Sequence, residues 1–322
     1  MTSRLTAPLG LLALLLVSAC GQRSTAPGAP DPAAPPDGAP RAVEQADLAR
    51  ADLVPDGHPG PFRTTGFVLQ DAGHGPQLCA GGIATSLPPQ CAGPDLIGFD
   101  FSSMPADSYE SVLRSRYGSF VLTGTPQGEA IRLTAPARRA DPADLEAQAR
   151  APEPSFASPC PEPAGGWRAL DAARATEDAL QAASVQAQAV RGYGLLWIDR
   201  SAVPAAEVAA GAADDPSRYV LNVSTAGDLA EMEAAVRAVW GGALCVSAAA
   251  RSEAELTAAR DALEQGDGSA AGLVLVDLQL DPLGGQVTAT AVLAREGDQR
   301  RLDERFGAGV VRLSSLLRPL AP

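Results

Sequence analysis

The sequence predicts an α+β protein in which a small all-β N-terminal domain is followed by a two-layer α+β sandwich with a mixed sheet. Three observations carry that expectation. In the first half, Phe67-Val68-Leu69 and Ser119-Phe120-Val121-Leu122-Thr123 are strand-forming runs bounded by turn residues. In the second half, Asp228 with Glu231 and Ser252 with Glu255 are capping-box-like helix starts. Short apolar strands alternate with those helices around one hairpin, the order expected when helices cover one face of a mixed sheet.

Taken in order, residues 1–19 read as an export signal. Arg4 supplies the positive start, and Leu9 to Val17 is an apolar run much shorter than the ~20 residues a spanning helix needs. The residues Val17-Ser18-Ala19-Cys20 resemble the lipobox of bacterial lipoprotein precursors. That resemblance implies lipidation of the Cys20 sulfur, cleavage just before it, and residence at the cell membrane on its extracytoplasmic face. Ordinary secretion with cleavage at the same bond is the alternative.

Residues 20–61 turn to Pro, Ala, Gly and Asp and read as a disordered tether, able to extend on the order of 100 Å at ~3.1 Å per residue. Val43 to Val54 has enough Ala, Leu and Glu for a transient helix, and His58 falls in a turn-like, solvated setting. Residues 62–135 form the expected β domain, in which Thr125-Pro126-Gln127-Gly128 turns into the alternating run Ala130-Ile131-Arg132-Leu133-Thr134. Residues 136–166 read as a Pro-rich linker with a short helix after Asp141-Pro142.

The α+β domain is expected over 167–322. One helix runs from Asp228 to Gly241-Gly242 with Leu229, Met232, Val236, Val239 and Trp240 on one face, and a second from Ser252 to Gln265-Gly266 with Leu256, Ala259 and Leu263. A last helix runs from Asp298 to Gly307. Strands are expected at 195–198, 219–223, 243–246, 273–280, 287–293 and 309–313, with Asp281-Pro282-Leu283-Gly284-Gly285 joining two of them.

Composition narrows the function. The chain carries 25 basic residues, all Arg, against 38 acidic ones, a net charge of −13. Nucleic acid is therefore an unsuitable partner, and an anionic lipid surface would not attract the body. Membrane association is left to the lipid on Cys20. Two acyl chains on one Cys anchor stably where a single chain is marginal. The absence of Lys excludes a P-loop lysine, a Schiff base and a Ser-Lys dyad.

Beyond Cys20, the cysteines are Cys79, Cys91, Cys160 and Cys245, an even number that outside the cytosol points to disulfides. Three pairings exist, and Cys79 with Cys91 and Cys160 with Cys245 is the favoured one; buried free thiols are the alternative. The most reactive-looking group is His74, Cys79, Cys91 and Asp71. As a zinc site it lacks paired short Cys spacings and a fourth ligand, and oxidation would consume both thiolates, which also argues against a Cys-His nucleophile. A braced loop is the simpler reading.

The other candidates are weaker. Gly192-Tyr193-Gly194 precedes a strand instead of following one, unlike a dinucleotide fingerprint. Asp277 and Asp281 suit a solvent face and a hairpin turn, and Glu253 and Glu255 a helix's first turn. Asn222-Val223-Ser224 matches a glycosylation acceptor inside an apolar strand, and Trp167, Trp197 and Trp240 suit a core. No cofactor or metal is assigned.

His74 to Cys79, Pro88 to Cys91, Val239 to Val246 and Leu302 to Gly307 resemble segments of uncharacterised exported proteins of high-GC bacteria, a group that brings no activity. A fainter likeness joins the last helix and strand to the ferredoxin-like pro-segments of secreted serine proteases. The expectation is thus an anchored, non-catalytic protein that binds a protein or envelope ligand. A hydrolase using carboxylates and His74, or a protease-inhibitor-like module, is the alternative.

Overall fold

The first half of the described chain is built on one long antiparallel pair. In the computed structural model, which describes residues 53–84, 86–148, 155–201, 203 and 215–320, β1 (Phe62–Gln70) pairs along its whole length with β5 (Ser115–Gln127). The register runs from Phe62 opposite Gly124 to Gln70 opposite Arg116. Short strands complete the sheet: β2 (Gln77–Leu78) on β1, β4 (Glu110–Val112), β6 (Ala130–Leu133) and β7 (Arg138–Arg139) on β5, and β3 (Leu96–Ile97) on β6. Alternation turns Val68, Phe120, Leu122 and Ile131 inward onto Leu78, Leu96, Phe99 and Phe101. Phe99, Phe101 and Phe120 meet edge-on with centroids 4.9–5.8 Å apart, the arrangement aromatic quadrupoles favour. Only glycine fits at Gly93, where a Cβ would stand 1.8 Å from the Leu78 carbonyl oxygen.

Both ends of the described residues enter this core. β14 (Arg318–Pro319) adds to the start of β1, and Val292, Leu316 and Leu317 are buried with the phenylalanines. Residues of regions 62–135 and 167–322, expected as separate domains, therefore meet in one of the core clusters. Leu53 and Val54, expected within the tether over 20–61, are instead an apolar pair buried in two clusters. Leu53 packs with one cluster and Val54 with the other. Val54 N–H donates to Ala294 O (2.9 Å) and Glu296 N–H to Val54 O (3.1 Å). The Arg295 guanidinium donates to the carbonyls of Pro55 and His58, both at 3.1 Å, and Asp56 pairs with Arg300.

The Pro-rich linker holds β7 and helix α1 (Pro142–Gln148), whose start is closed reciprocally: Asp144 N–H donates to Asp141 Oδ1, and Asp141 N–H to Asp144 Oδ2, each at 2.9 Å.

From Glu177 the described residues run through one order, αββαβ, twice. The first unit is α2 (Glu177–Ala189), β8 (Tyr193–Asp199), β9 (Val220–Thr225), α3 (Leu229–Arg237) and β10 (Ala243–Ala248). The second is α4 (Glu253–Glu264), β11 (Leu275–Asp281), β12 (Gln286–Ala291), α5 (Glu296–Phe306) and β13 (Val311–Ser315). Each has a three-stranded sheet with one antiparallel and one parallel pair, the parallel pair bridged by a helix. The α+β class with mixed strand directions holds, and the strands expected in one C-terminal sheet are distributed over two.

Equivalent positions bury equivalent residues. Tyr193, Leu196 and Ile198 of β8 face the helices with Leu221, Val223, Leu244 and Val246; Leu275, Leu278 and Leu280 of β11 do so with Val287, Ala289, Val311 and Leu313. Helix starts match as well, since Thr176 accepts from Ala179 N–H and Ser252 from Glu255 N–H, both at 3.2 Å. Helix α3 ends at Arg237, before the expected Gly241-Gly242, because Trp240 turns into the core and donates from Nε1 to Ala243 O at 3.0 Å.

The two sheets differ in what covers the face away from the helices. In the first unit Val220, Ala243 and Cys245 pack under Cys160 and Trp167, and the Cys160–Cys245 disulfide spans 5.8 Å between Cα atoms. Trp197 Nε1–H donates to Phe156 O (3.1 Å) and Ser158 N–H to Asp199 Oδ2 (2.7 Å). In the second unit Val274, Val276, Val292 and Leu293 pack against the β1–β5 core instead.

Candidate functional site

The turn from β1 to β2 carries the residues with the most reactive chemistry. Asp71 closes it, its Oδ1 accepting from Gly73 N–H (2.6 Å) and His74 N–H (3.0 Å). The Gly73 bond is the main reason its carboxyl sits below the usual range, and the His74 amide adds to it. His74 Nε2 lies 3.4 Å from Asp71 Oδ2, and its Nδ1 donates to Gly75 O at 2.7 Å. Cys79 and Cys91 are bonded to each other, with Cα atoms 5.5 Å apart, so neither presents a thiolate to His74. Among the described residues no group of three His, Cys, Asp or Glu is placed to hold a metal ion.

Register places a second feature at the same end of the sheet, because Gln70, the last residue of β1, pairs with Arg116 at the start of β5. There β4 turns into β5 through Leu113 and Arg114, with φ of 48° and 73°, both in the left-handed region. This is the geometry of a two-residue primed hairpin turn, for which Asn-Gly is the favoured pair. Leu113 is 77% exposed, so the strained backbone holds an apolar side chain in water. The sequence offered no sign of this turn, since neither residue is a turn former.

Two grooves border the second αββαβ unit. One, of about 250 Å³, lies between Pro126 and Gly128 at the β5–β6 turn and Gly272, Val274, Leu293 and Arg295. Its charged groups are occupied structurally: Arg295 holds Pro55 and His58, and Asp298 accepts from Arg295 N–H and pairs with Arg301. The other, of about 370 Å³, runs between Leu263 and Glu264 of α4 and Leu275, Val276, Asp277 and Leu278 of β11.

The remaining sequence candidates are dispersed. Asp281 closes the β11–β12 hairpin through Gly284 N–H (2.8 Å) and Gln286 Nε2 (3.0 Å), and Asp277 accepts from Gln279 Nε2 (3.1 Å). Glu255 completes the α4 capping box with Ser252. Asn222 lies wholly buried in β9 and donates to Val220 O, which takes the glycosylation pattern out of reach. Gly192, at φ 88°, turns the chain into β8. Trp240 and Trp197 are buried and Trp167 partly so.

Asp199, missed in the sequence, is a buried carboxylate. Burial opposes its ionisation, but the amide and hydroxyl of Ser201 and the amide of Ser158 outweigh that and keep it below the usual range. Cys20 lies outside the described residues. The chain matches no known family model and no curated protein.

Proposed function

We propose that this chain is a lipid-anchored protein of the cell envelope, held by Cys20 on the extracytoplasmic face, whose body binds a protein or envelope ligand without turning it over. One observation carries the reading: most of the groups that the sequence offers for catalysis are engaged in structural bonds. Cys79 and Cys91 are oxidised, Asp71 and Asp281 close turns, and Glu255 caps a helix. Both disulfides suit an oxidising compartment, and among the described residues no helix is long and apolar enough to cross a membrane.

Cells fed labelled palmitate test the anchor. Label should appear on the wild-type chain in the membrane fraction and be lost from Cys20→Ser. A chain that stays unlabelled inside spheroplasts, with titratable thiols, removes this reading. Substrate turnover by the purified chain that disappears in His74→Ala would replace binding with hydrolysis.

A further inference from the structure

Sheet edges leave backbone donors and acceptors unpaired, and the two edges of the second unit's sheet are treated differently. At β13, Gln299 of α5 takes the place of a neighbouring strand: its Nε2 donates to Val311 O and its Oε1 accepts from Leu313 N–H, both at 2.8 Å. On the opposite edge β11 pairs only with β12 among the described residues. The 370 Å³ groove lies beside it and touches four consecutive residues, Leu275 to Leu278. The stretch includes the bulge between Leu275 and Asp277, and residues of both faces border the groove, Leu275 and Leu278 from the helix side and Val276 from the side of the β1–β5 core, so the groove follows this edge.

Resting on the binding reading above, we infer that this edge receives an extended peptide segment of another protein, added as a fourth strand beside β11, with apolar side chains at alternate positions and Arg or Lys between them. Strand addition of this kind takes affinity from main-chain bonds and specificity from side-chain pockets. Leu263, Leu275, Val276 and Leu278 supply apolar walls, and Glu264 and Asp277 supply negative charge. Arg260 is shared between Asp261 (2.8 Å) and Glu264 (3.5 Å), which leaves acid in surplus. The braced Cys79–Cys91 loop flanks the groove, since a Cβ on Gly81 would stand 3.5 Å from Asp277 Oδ1. A second copy fits less well. Two β11 strands side by side would bring Asp277 and Asp281 of both copies into one ladder, between chains that each carry −13.

The test titrates the whole chain, purified in detergent, with a fluorescent eight-residue peptide alternating Val and Arg, read by anisotropy. Two companions are the same peptide N-methylated at alternate residues, in either phase, and a peptide alternating Val and Glu. Binding of the Val-Arg peptide should weaken with salt and fall at least about tenfold on N-methylation in one phase. The double variant Glu264→Arg/Asp277→Arg should lose it by a similar factor and prefer the Val-Glu peptide. Equal binding of both methylated peptides, or an unaffected double variant, overturns the inference. So does a dimer that the double variant disperses. The methylated peptides read the wild-type fold and do not depend on the variant folding. Palmitate labelling and envelope cross-linking of the wild-type chain are scored alongside: if they persist while no peptide binds, the strand-addition site falls and the broader function stands.

Discussion

The two αββαβ units form the same sheet from different side chains. Tyr193 opposite Thr225 through Asp199 opposite Val220 repeats as Leu275 opposite Ala291 through Asp281 opposite Gln286, and each first strand bulges at the same point, between Tyr193 and Leu195 and between Leu275 and Asp277. Packing volume is exchanged between layers. Where the first unit has Ala187 on α2 in one cluster with Val223 and the rings of Tyr219 and Trp240, the second has Leu263 on α4 in one cluster with Ala289. What differs is outside the repeat. The first unit carries residues 200–219 between its antiparallel strands and is covered by a disulfide-bonded segment, while the second turns in four residues and lies on the β1–β5 core. A repeated pattern of inward residues thus fixes the sheet, and the flanking chain fixes its surroundings.

The sharpest way to break this equivalence is to remove the cover of one unit only. Cys160 and Cys245 lie 85 residues apart, a loop whose closure contributes about 4.5 kcal/mol on the chain-entropy account. Cys160→Ser/Cys245→Ser should lose most of that in urea unfolding. Amide exchange should accelerate in β9 and β10 and change least in β11 to β13. Equal loss of protection in both units would mean that they unfold as one body, and that the cover acts on the whole molecule.

A smaller effect separates the two edges of the second sheet. Gln299→Ala leaves Val311 O and Leu313 N–H without their partners and should cost about 1–3 kcal/mol. Exchange at the Leu313 amide should rise more than at Ala289 in the centre of the sheet. An unchanged Leu313 amide would show that the side-chain amide is not guarding that edge.

Much of this architecture was legible because it rests on local signals. Ser252 with Glu255, Asp228 before Leu229, and Gly307 after Phe306 mark helix ends through backbone groups that must find partners, and those ends lie within a few residues of expectation. The repeat was also present in the sequence. Thr176-Glu177, Leu180 and Ala183 have the spacing of Ser252-Glu253, Leu256 and Ala259, and Gly194-Leu195 to Asp199 resembles Gly272-Leu273 to Asp277. Yet that last match is four residues out of phase, since strand register equates Asp199 with Asp281. β2, β3, β7 and β14 are two residues long, too short to show a period, and exist because β1, β5 and β6 offer open edges. The candidate site was the least legible part. His74, Asp71 and the cysteines are close in sequence, whereas the groove between α4 and β11 is set by tertiary packing.

The gentlest probe of the comparison is a single hydroxyl. Burial, helped by the charge of Glu253, pushes the Tyr193 pKa up to about 12 from an ordinary 10.0, whereas Leu275 at the equivalent position has nothing to ionise. The native form holds this proton more tightly than the unfolded chain, so the stability it contributes is complete below pH 10.0 and declines as pH rises toward 12. Tyr193→Phe should therefore flatten the alkaline fall in the urea midpoint, by about 1 kcal/mol at pH ~11. Tyr117 of β5, whose hydroxyl donates to Glu110 at 2.9 Å and is likewise raised, reports a separate contribution through Tyr117→Phe. If wild type and Tyr193→Phe decline in parallel while Tyr117→Phe alone differs, the alkaline sensitivity belongs to the β1–β5 sheet, and the two units are alike in this respect.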